Sequence, residues 1–241
     1  MGAATKLSRP KQLFSHRGVV WFVTRYDAVL FDSDGVLVEP PNQETQREAT
    51  REAFRAVGVE DIREEHLDAV MGGKSADALF EVCSVYDLDV ATFWDAFEHH
   101  DEQSQFDAFE AGARERYDDV SAIADLSVAR GIVSNNHHST IEFKLDFFEM
   151  RSLFDTYYGR EKTLESLTLK KPNTHYIDRA MADLGAESAL YVGDSDSDVV
   201  AAERAGLDSV FVRRAHTRDT ELSVTPTYEV ESLHDVVSLA E

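Results

Sequence analysis

The chain has 241 residues, with 46 Asp and Glu against 24 Lys and Arg, a formal net charge of −22 at pH 7 and 43% hydrophobic residues. That charge argues against nucleic acid as a partner, because phosphate backbones are bound by basic surfaces, while the hydrophobic share suffices for one large domain or a core domain carrying an insert. A single cysteine, Cys83, cannot close an intramolecular disulfide, and no run approaches the ~18 apolar residues of a membrane helix, so a reducing cytoplasm is the expected setting and a membrane partner is not expected.

The acids are interleaved with apolar residues instead of forming a tail, which predicts a folded acidic surface of the kind found in salt-loving organisms. Such a surface repels itself at low salt and is screened at molar salt.

In chain order, the first 26 residues hold Lys6, Arg9, Lys11, Arg17 and Arg25 and no acid; residues 1–24 are expected to be a poorly ordered extension, and no function is assigned to them. The apolar run DAVLFD (27–32) predicts the first strand. About a hundred residues with helical periodicity follow, through QREATREAFRAVG, SADALFEVCSVYD and TFWDAFEHHDEQSQFDAFEAGARERY, and predict an inserted all-helical cap over residues 40–115. Then the runs RGIVSN (130–135), FDTYY (154–158), ALYVGD (189–194) and SVFVRR (209–214) alternate with helical stretches such as STIEFKLDFFEM and THYIDRAMADLG. Nearly continuous apolar strands alternating with helices predict an α/β class, a Rossmann-like parallel sheet flanked by helices and built from 25–39 and 116–241. Its chemistry belongs at the carboxyl ends of the strands.

Four stretches fall at those ends. FDSDGVL puts Asp32 at the end of the first strand, Asp34 two residues on and Gly35 where the chain must turn. By composition alone a D-x-D-G tetrapeptide is expected ~0.1 times in such a chain, so the preceding strand carries much of the signal. YVGDSDSDVV sends a second strand into Asp194, followed by Asp196 and by Asp198 in the first turn of a helix. Capping explains one of these acids, whereas several beside Asp32 would repel one another unless a hard divalent cation such as Mg²⁺ joined them. IVSNN ends a strand on Ser134, with the amides of Asn135 and Asn136 leading toward a helix, a place where an anion can be held. In LKKPNTHY, Pro172 drives Lys171 into extended backbone ahead of a helix from about 174. Singly these also describe a turn, a helix cap and a solvated lysine; their joint order sets them apart.

Taken together, residues 27–215 resemble the haloacid dehalogenase superfamily, in the phosphoglycolate-phosphatase-like and beta-phosphoglucomutase-like branch with a helical cap. The resemblance implies Asp32 as nucleophile and Asp34 as general acid/base, with the Asp34 backbone carbonyl on the metal. It implies Ser134 and the Asn135 amide on the phosphoryl oxygens, and Lys171 as the neutralising ammonium, with Lys170 a substitute. Asp194 becomes a direct Mg²⁺ ligand and Asp198 a direct or water-mediated one, so that the metal set is Asp32, Asp34, Asp194 and Asp198. Departing from the branch, Thr174 stands where a second proline is common.

The implied function is a magnesium-dependent phosphatase acting on a small phosphorylated metabolite, such as phosphoglycolate or a sugar phosphate, through an aspartyl-phosphate. A sugar-phosphate mutase and a non-enzymatic acidic interaction protein are the alternatives. To protonate a leaving alcohol, Asp34 is expected to have its carboxyl raised by burial and by neighbouring acids. Within the cap, the loop MGGKSADAL makes Lys74 the first candidate for the substrate's non-phosphate end, with Arg47 and Arg51 weaker ones. Packing is assigned to Cys83, Trp21 and Trp94, and metal ligation is not expected of His99–His100 or His137–His138, since adjacent residues on a helix face different ways.

Overall fold

The computed structural model of the chain describes residues 25–71 and 75–240. Among these, six parallel strands form one sheet in the order β3-β2-β1-β4-β5-β6: β1 Ala28–Phe31, β2 Ala129–His137, β3 Thr156–Arg160, β4 Ala189–Gly193, β5 Asp208–Val212 and β6 Tyr228–Val230. Each run expected to be a strand is one, with ends shifted by one or two residues. β6 went unforeseen because three half-exposed residues at the sheet edge give no readable apolar pattern.

Burial on both faces explains the continuous apolar runs. Val29 and Phe31 of β1, Ile132 of β2 and Leu190 and Val192 of β4 point to one core, while Leu30, Val133 and Tyr191 point to the other. This is the two-residue alternation of a pleated strand buried on both sides. α5 (His138–Phe147), α9 (Leu233–Ala240) and the 3-10 segment Asp118–Asp125 cover the first face through Ile141, Leu145, Leu233, Val236, Val120 and Ile123. α7 (His175–Leu184) and α8 (Asp196–Arg204) cover the second through Tyr176, Ile177, Ala201 and Ala202.

Between β1 and β2 stand the four cap helices: α1 Gln43–Ala56, α2 Glu64–Val70, α3 Ala76–Val85 and α4 Val90–Glu110. Side chains of Asn42, Ser75 and Asp89 accept from first-turn amides and start α1, α3 and α4. Phe54, Leu67, Val82, Phe93, Trp94 and Phe97 give the cap its own core, which Leu167 of the short α6 (Ser166–Leu169) joins from the α/β side. Cys83 is buried there and its thiol is pushed up to about 11 by burial and by Asp89, consistent with packing rather than reactivity. Residues 1–24, with Trp21, and the loop residue Lys74 lie outside the described residues.

Candidate active site

Register decides what the strand ends bring together. Phe31 pairs with Ile132 on one side and Val192 on the other, so Asp32, Ser134 and Asp194 emerge from three adjacent strands at nearly the same level. The Asp32 amide continues the ladder by donating to the Val192 carbonyl at 2.8 Å. Gly35 then turns the chain with φ +78°; a Cβ there would meet Asp194 Oδ2 at 1.8 Å, so only glycine fits beside that carboxylate.

Lys171 binds the cluster into one unit. Its fully enclosed ammonium lies 3.0 Å from Asp32 Oδ1 and 2.7 Å from Asp198 Oδ1, and donates to Tyr191 Oη at 2.8 Å and to the Val133 carbonyl at 3.0 Å. Burial works against its charge, yet Asp198 and Asp32 more than compensate and hold it well above the ordinary lysine value. Asn135 positions this lysine: its Oδ1 accepts from the Lys171 amide at 2.7 Å and its Nδ2 donates to the Lys171 carbonyl at 3.3 Å. The Ser134 hydroxyl is buried and accepts from the Asn136 amide at 3.3 Å.

Carboxylate oxygens of Asp32, Asp194 and Asp198 lie within 4.8 Å of one another. Burial pushes the Asp32 carboxyl up to about 7 against the pull of Lys171, with Asp198, Asp194 and Asp34 adding repulsion. Burial likewise raises Asp194, opposed by its hydrogen bond to His216 Nε2 at 2.7 Å. Asp198 is less free: its Oδ2 accepts from the amides of Asp194 (3.2 Å) and Ser195 (3.1 Å) and from Ser195 Oγ (2.6 Å) at the start of α8, while Oδ1 faces Lys171. Three crowded acids against one ammonium leave negative charge uncompensated, and an all-oxygen set fits a hard divalent cation.

Asp34 departs from expectation. Its Oδ1 accepts from Arg114 at 2.6 Å and Lys144 at 2.7 Å, and its Oδ2 from Asn136 Nδ2 at 2.7 Å. Burial does raise this carboxyl, but the Lys144 and Arg114 charges outweigh it and hold the group well below the usual carboxylate range, the reverse of the raised value expected. Arg114 closes the cap–core junction, since its guanidinium also donates to the Glu39 carbonyl. Both cations escaped sequence reasoning, although Lys144 left a signal: it falls on the buried stripe of α5 with Thr140, Ile141 and Leu145.

Other candidates are occupied elsewhere. Arg47 pairs with Glu64 and Asp68, and Arg51 with Glu48 and Glu64, all on the cap and away from the carboxylate cluster. His137 is buried, with Nε2 2.9 Å from a Glu98 carboxylate oxygen and 3.6 Å from Asp101. Glu98 also holds Arg160 of β3 at 2.7 Å, and Arg160 lies over the Trp94 ring.

The fold and site together define a parallel α/β core whose carboxylate-lined strand ends are roofed by a helical cap. The chain belongs to the haloacid dehalogenase-like hydrolase family, whose model matches residues 29–212. It is 28% identical over 127 residues to the pyrophosphatase PpaX of Oceanobacillus iheyensis, covering 51% of this chain and 57% of the relative. A phosphoglycolate phosphatase of Cereibacter sphaeroides is 31% identical over 105 residues, 44% of this chain and 46% of the relative. The chain thus spans about half the length of these curated relatives. CbbY from Rhodobacter sphaeroides, crystallised with phosphate, shares the fold with a TM-score of 0.64 at 19% identity, over 88% of this chain and 96% of that one.

Proposed function

We propose that the protein is a magnesium-dependent phosphatase that hydrolyses a small phosphate monoester through an aspartyl-phosphate on Asp32. The observation that carries this reading is the Asp32 carboxylate, enclosed at a strand end beneath the cap, 3.0 Å from the Lys171 ammonium and crowded by Asp194 and Asp198. A Mg²⁺ ion held by Asp32, Asp194 and the Asp34 carbonyl, with Asp198 direct or through water, would supply the charge neutralisation that lets a carboxylate meet a phosphate dianion.

An Asp32 oxygen attacks phosphorus as the bond to the ester oxygen breaks, and the alcohol leaves with the proton carried by the protonated form of Asp34. Ser134, the Asn135 amide and Lys171 hold the phosphoryl oxygens as charge moves onto them. Water then attacks the phosphoryl group on Asp32, gives its proton to Asp34, and inorganic phosphate departs. Arg114 and Lys144 favour the ionised Asp34 left by the first step, which suits it to accept the proton of water; the protonated form that results serves the next departing alcohol.

A phosphomonoester panel at molar KCl with Mg²⁺, read by phosphate release with Asp32→Asn as control, tests the reading. Asp32-dependent phosphate release supports it; turnover of a hexose phosphate to its isomer without phosphate release would replace it by the mutase reading. Equal inactivity of both proteins on every ester would end it.

A further inference from the structure

Of the three acids that crowd the strand ends, Asp194 has the fewest partners. The Asp32 carboxylate accepts from the Ser33 amide at 2.7 Å and faces Lys171 at 3.0 Å, while that of Asp198 is held by two amides, a hydroxyl and the same lysine. Among the described residues the Asp194 carboxylate has one hydrogen bond, between Oδ2 and His216 Nε2 at 2.7 Å. An ionised carboxylate can only accept, so the imidazole donates through Nε2, and it does so whether or not Nδ1 also carries a proton.

The ring reaches this oxygen from a rigid support. His216 sits in the 3-10 segment Ala215–Thr217, just after β5. On one side the Arg214 guanidinium grips Asp119 at 2.8 and 2.9 Å and the Val36 carbonyl at 3.0 Å; on the other, the hydroxyl of buried Thr217 accepts from the Arg214 amide at 2.9 Å. The backbone that carries the imidazole is thus fixed without the ring's help, and the ring itself is 27% exposed. Its tip lies at the turn after β1, where a Cβ on Gly35 would stand 2.8 Å from Nε2 and 1.8 Å from Asp194 Oδ2, so imidazole and carboxylate are pressed side by side against the glycine backbone. An ordinary surface pair contributes little and can involve any acid. Here the acid is only 15% exposed and belongs to the trio whose oxygens lie within 4.8 Å of one another. That trio comes together without the imidazole, which favours action through Asp194 over ligation by the ring.

A terminal carboxylate turns readily about its last bond, and a donor fixed on one oxygen sets the plane in which the other is presented. We infer that His216 is a positioning residue for the metal: it holds Asp194 by Oδ2 so that this carboxylate meets Mg²⁺ in one orientation, and it does not itself ligate the ion. The inference rests on the magnesium-dependent reading and adds to it a residue that lies outside the four motif stretches.

The test is a calorimetric Mg²⁺ titration of the full chain at fixed molar KCl, for wild type, His216→Ala and His216→Gln, with Asp32→Asn marking binding elsewhere on the chain. It is repeated with Ni²⁺ and accompanied by thermal unfolding in a chelator. Loss of the donor is expected to raise the Mg²⁺ Kd about 10- to 100-fold, and with it the Mg²⁺ concentration for half-maximal phosphate release from p-nitrophenyl phosphate. Gln, whose amide keeps a donor, should recover much of that loss. His216→Phe, which keeps a ring without the donor, serves if the Ala variant does not fold. A Mg²⁺ Kd within about twofold of wild type in the variants lacking the donor, with only the metal-free thermal midpoint lowered, overturns the assignment and leaves a structural pair. A loss of affinity far larger for Ni²⁺ than for Mg²⁺ also overturns it, because imidazole suits Ni²⁺ and the result would mark His216 as a ligand. Wild type that binds Mg²⁺ but turns over no ester sinks the phosphatase reading, while the Kd comparison still decides His216; wild type that binds no Mg²⁺ ends both.

Discussion

The ammonium of Lys144 on α5 lies 2.7 Å from Asp34 Oδ1, joining residues 110 positions apart in sequence with the lysine side chain only 2% exposed. Burial lowers the basicity of Lys144 while Asp34 restores part of it, and the same pairing keeps Asp34 ionised. Asp34, proposed above as the general acid/base, is therefore biased toward its ionised form, and its proton affinity is controlled from α5 and from Arg114 at the cap junction.

Replacing Lys144 by Met should consequently move the ionisation of Asp34 upward. The acid limb of the pH–rate profile is expected to shift to higher pH, and stability to fall by about 2 kcal/mol as Asp34 loses one of its two cationic partners and keeps Arg114. Asp34→Asn should lower kcat about a hundredfold or more and remove that limb. Superimposable profiles for wild type and Lys144→Met, measured over the same pH range, would contradict the coupling.

Asp32 is predicted to cost stability when no metal is bound. Its folded value of about 7 lies above the ordinary 3.8, so its favourable contribution is complete below pH 3.8 and is lost as pH rises through 7. Asp32→Asn should therefore raise stability at pH 8 in the presence of a chelator by about 2 kcal/mol while abolishing turnover. Excess Mg²⁺ should raise the thermal midpoint of the wild type much more than that of the variant. Thermal unfolding of both proteins with and without Mg²⁺ checks this, and equal Mg²⁺ shifts would count against Asp32 as a ligand.

Stability should depend on pH through Glu98, which ties the cap helix α4 to Arg160 of β3. Burial lifts its carboxyl, but His137 and Arg160 together outweigh burial and hold it below the ordinary 4.5. Its stabilising contribution is thus fully present above pH 4.5 and lost as pH falls through the lower folded value. Glu98→Gln should destabilise by about 3 kcal/mol at pH 7 and flatten the acid side of the stability curve. Midpoints measured between pH 3 and pH 7 test this, and a variant curve parallel to the wild type would exclude Glu98 as the titrating group.

Salt should stabilise the protein strongly. A net charge of −22 on 241 residues repels itself at low ionic strength, and at 1 M salt the screening length falls to about 3 Å. The thermal midpoint is expected to rise continuously from 0.1 to molar KCl by about 10 °C or more, well beyond what one or two ion pairs could provide. A flat or falling midpoint over that range would show that the acids are not a cost to the folded state.

Much of the site was visible before any coordinates because its parts are local. Asp32 and Asp194 each follow an apolar run, and parallel strands deliver such residues to one sheet edge; a reader of FDSDGVL and YVGDSDSD needs only the strand order to bring them together. Lys171 was legible for the same reason, through the proline that extends its backbone. What failed was the electrostatic environment of Asp34, because a carboxyl group responds to whichever charges are nearest in space, and Arg114 and Lys144 arrive from 80 and 110 residues away.

The amino-acid sequence by itself determined the parallel α/β core, the helical insertion after its first strand and the convergence of Asp32, Asp194, Asp198 and Lys171, since hydrophobic period and turn chemistry act over a few neighbouring residues. Tertiary structure alone decided that Arg114 and Lys144 bias Asp34 toward its ionised form, that His216 backs Asp194 and that Glu98 meets Arg160 and His137 where cap and core join. Those outcomes depend on Coulomb and hydrogen-bond contacts of a few ångströms between elements far apart in the chain, a distance that only the packed fold sets.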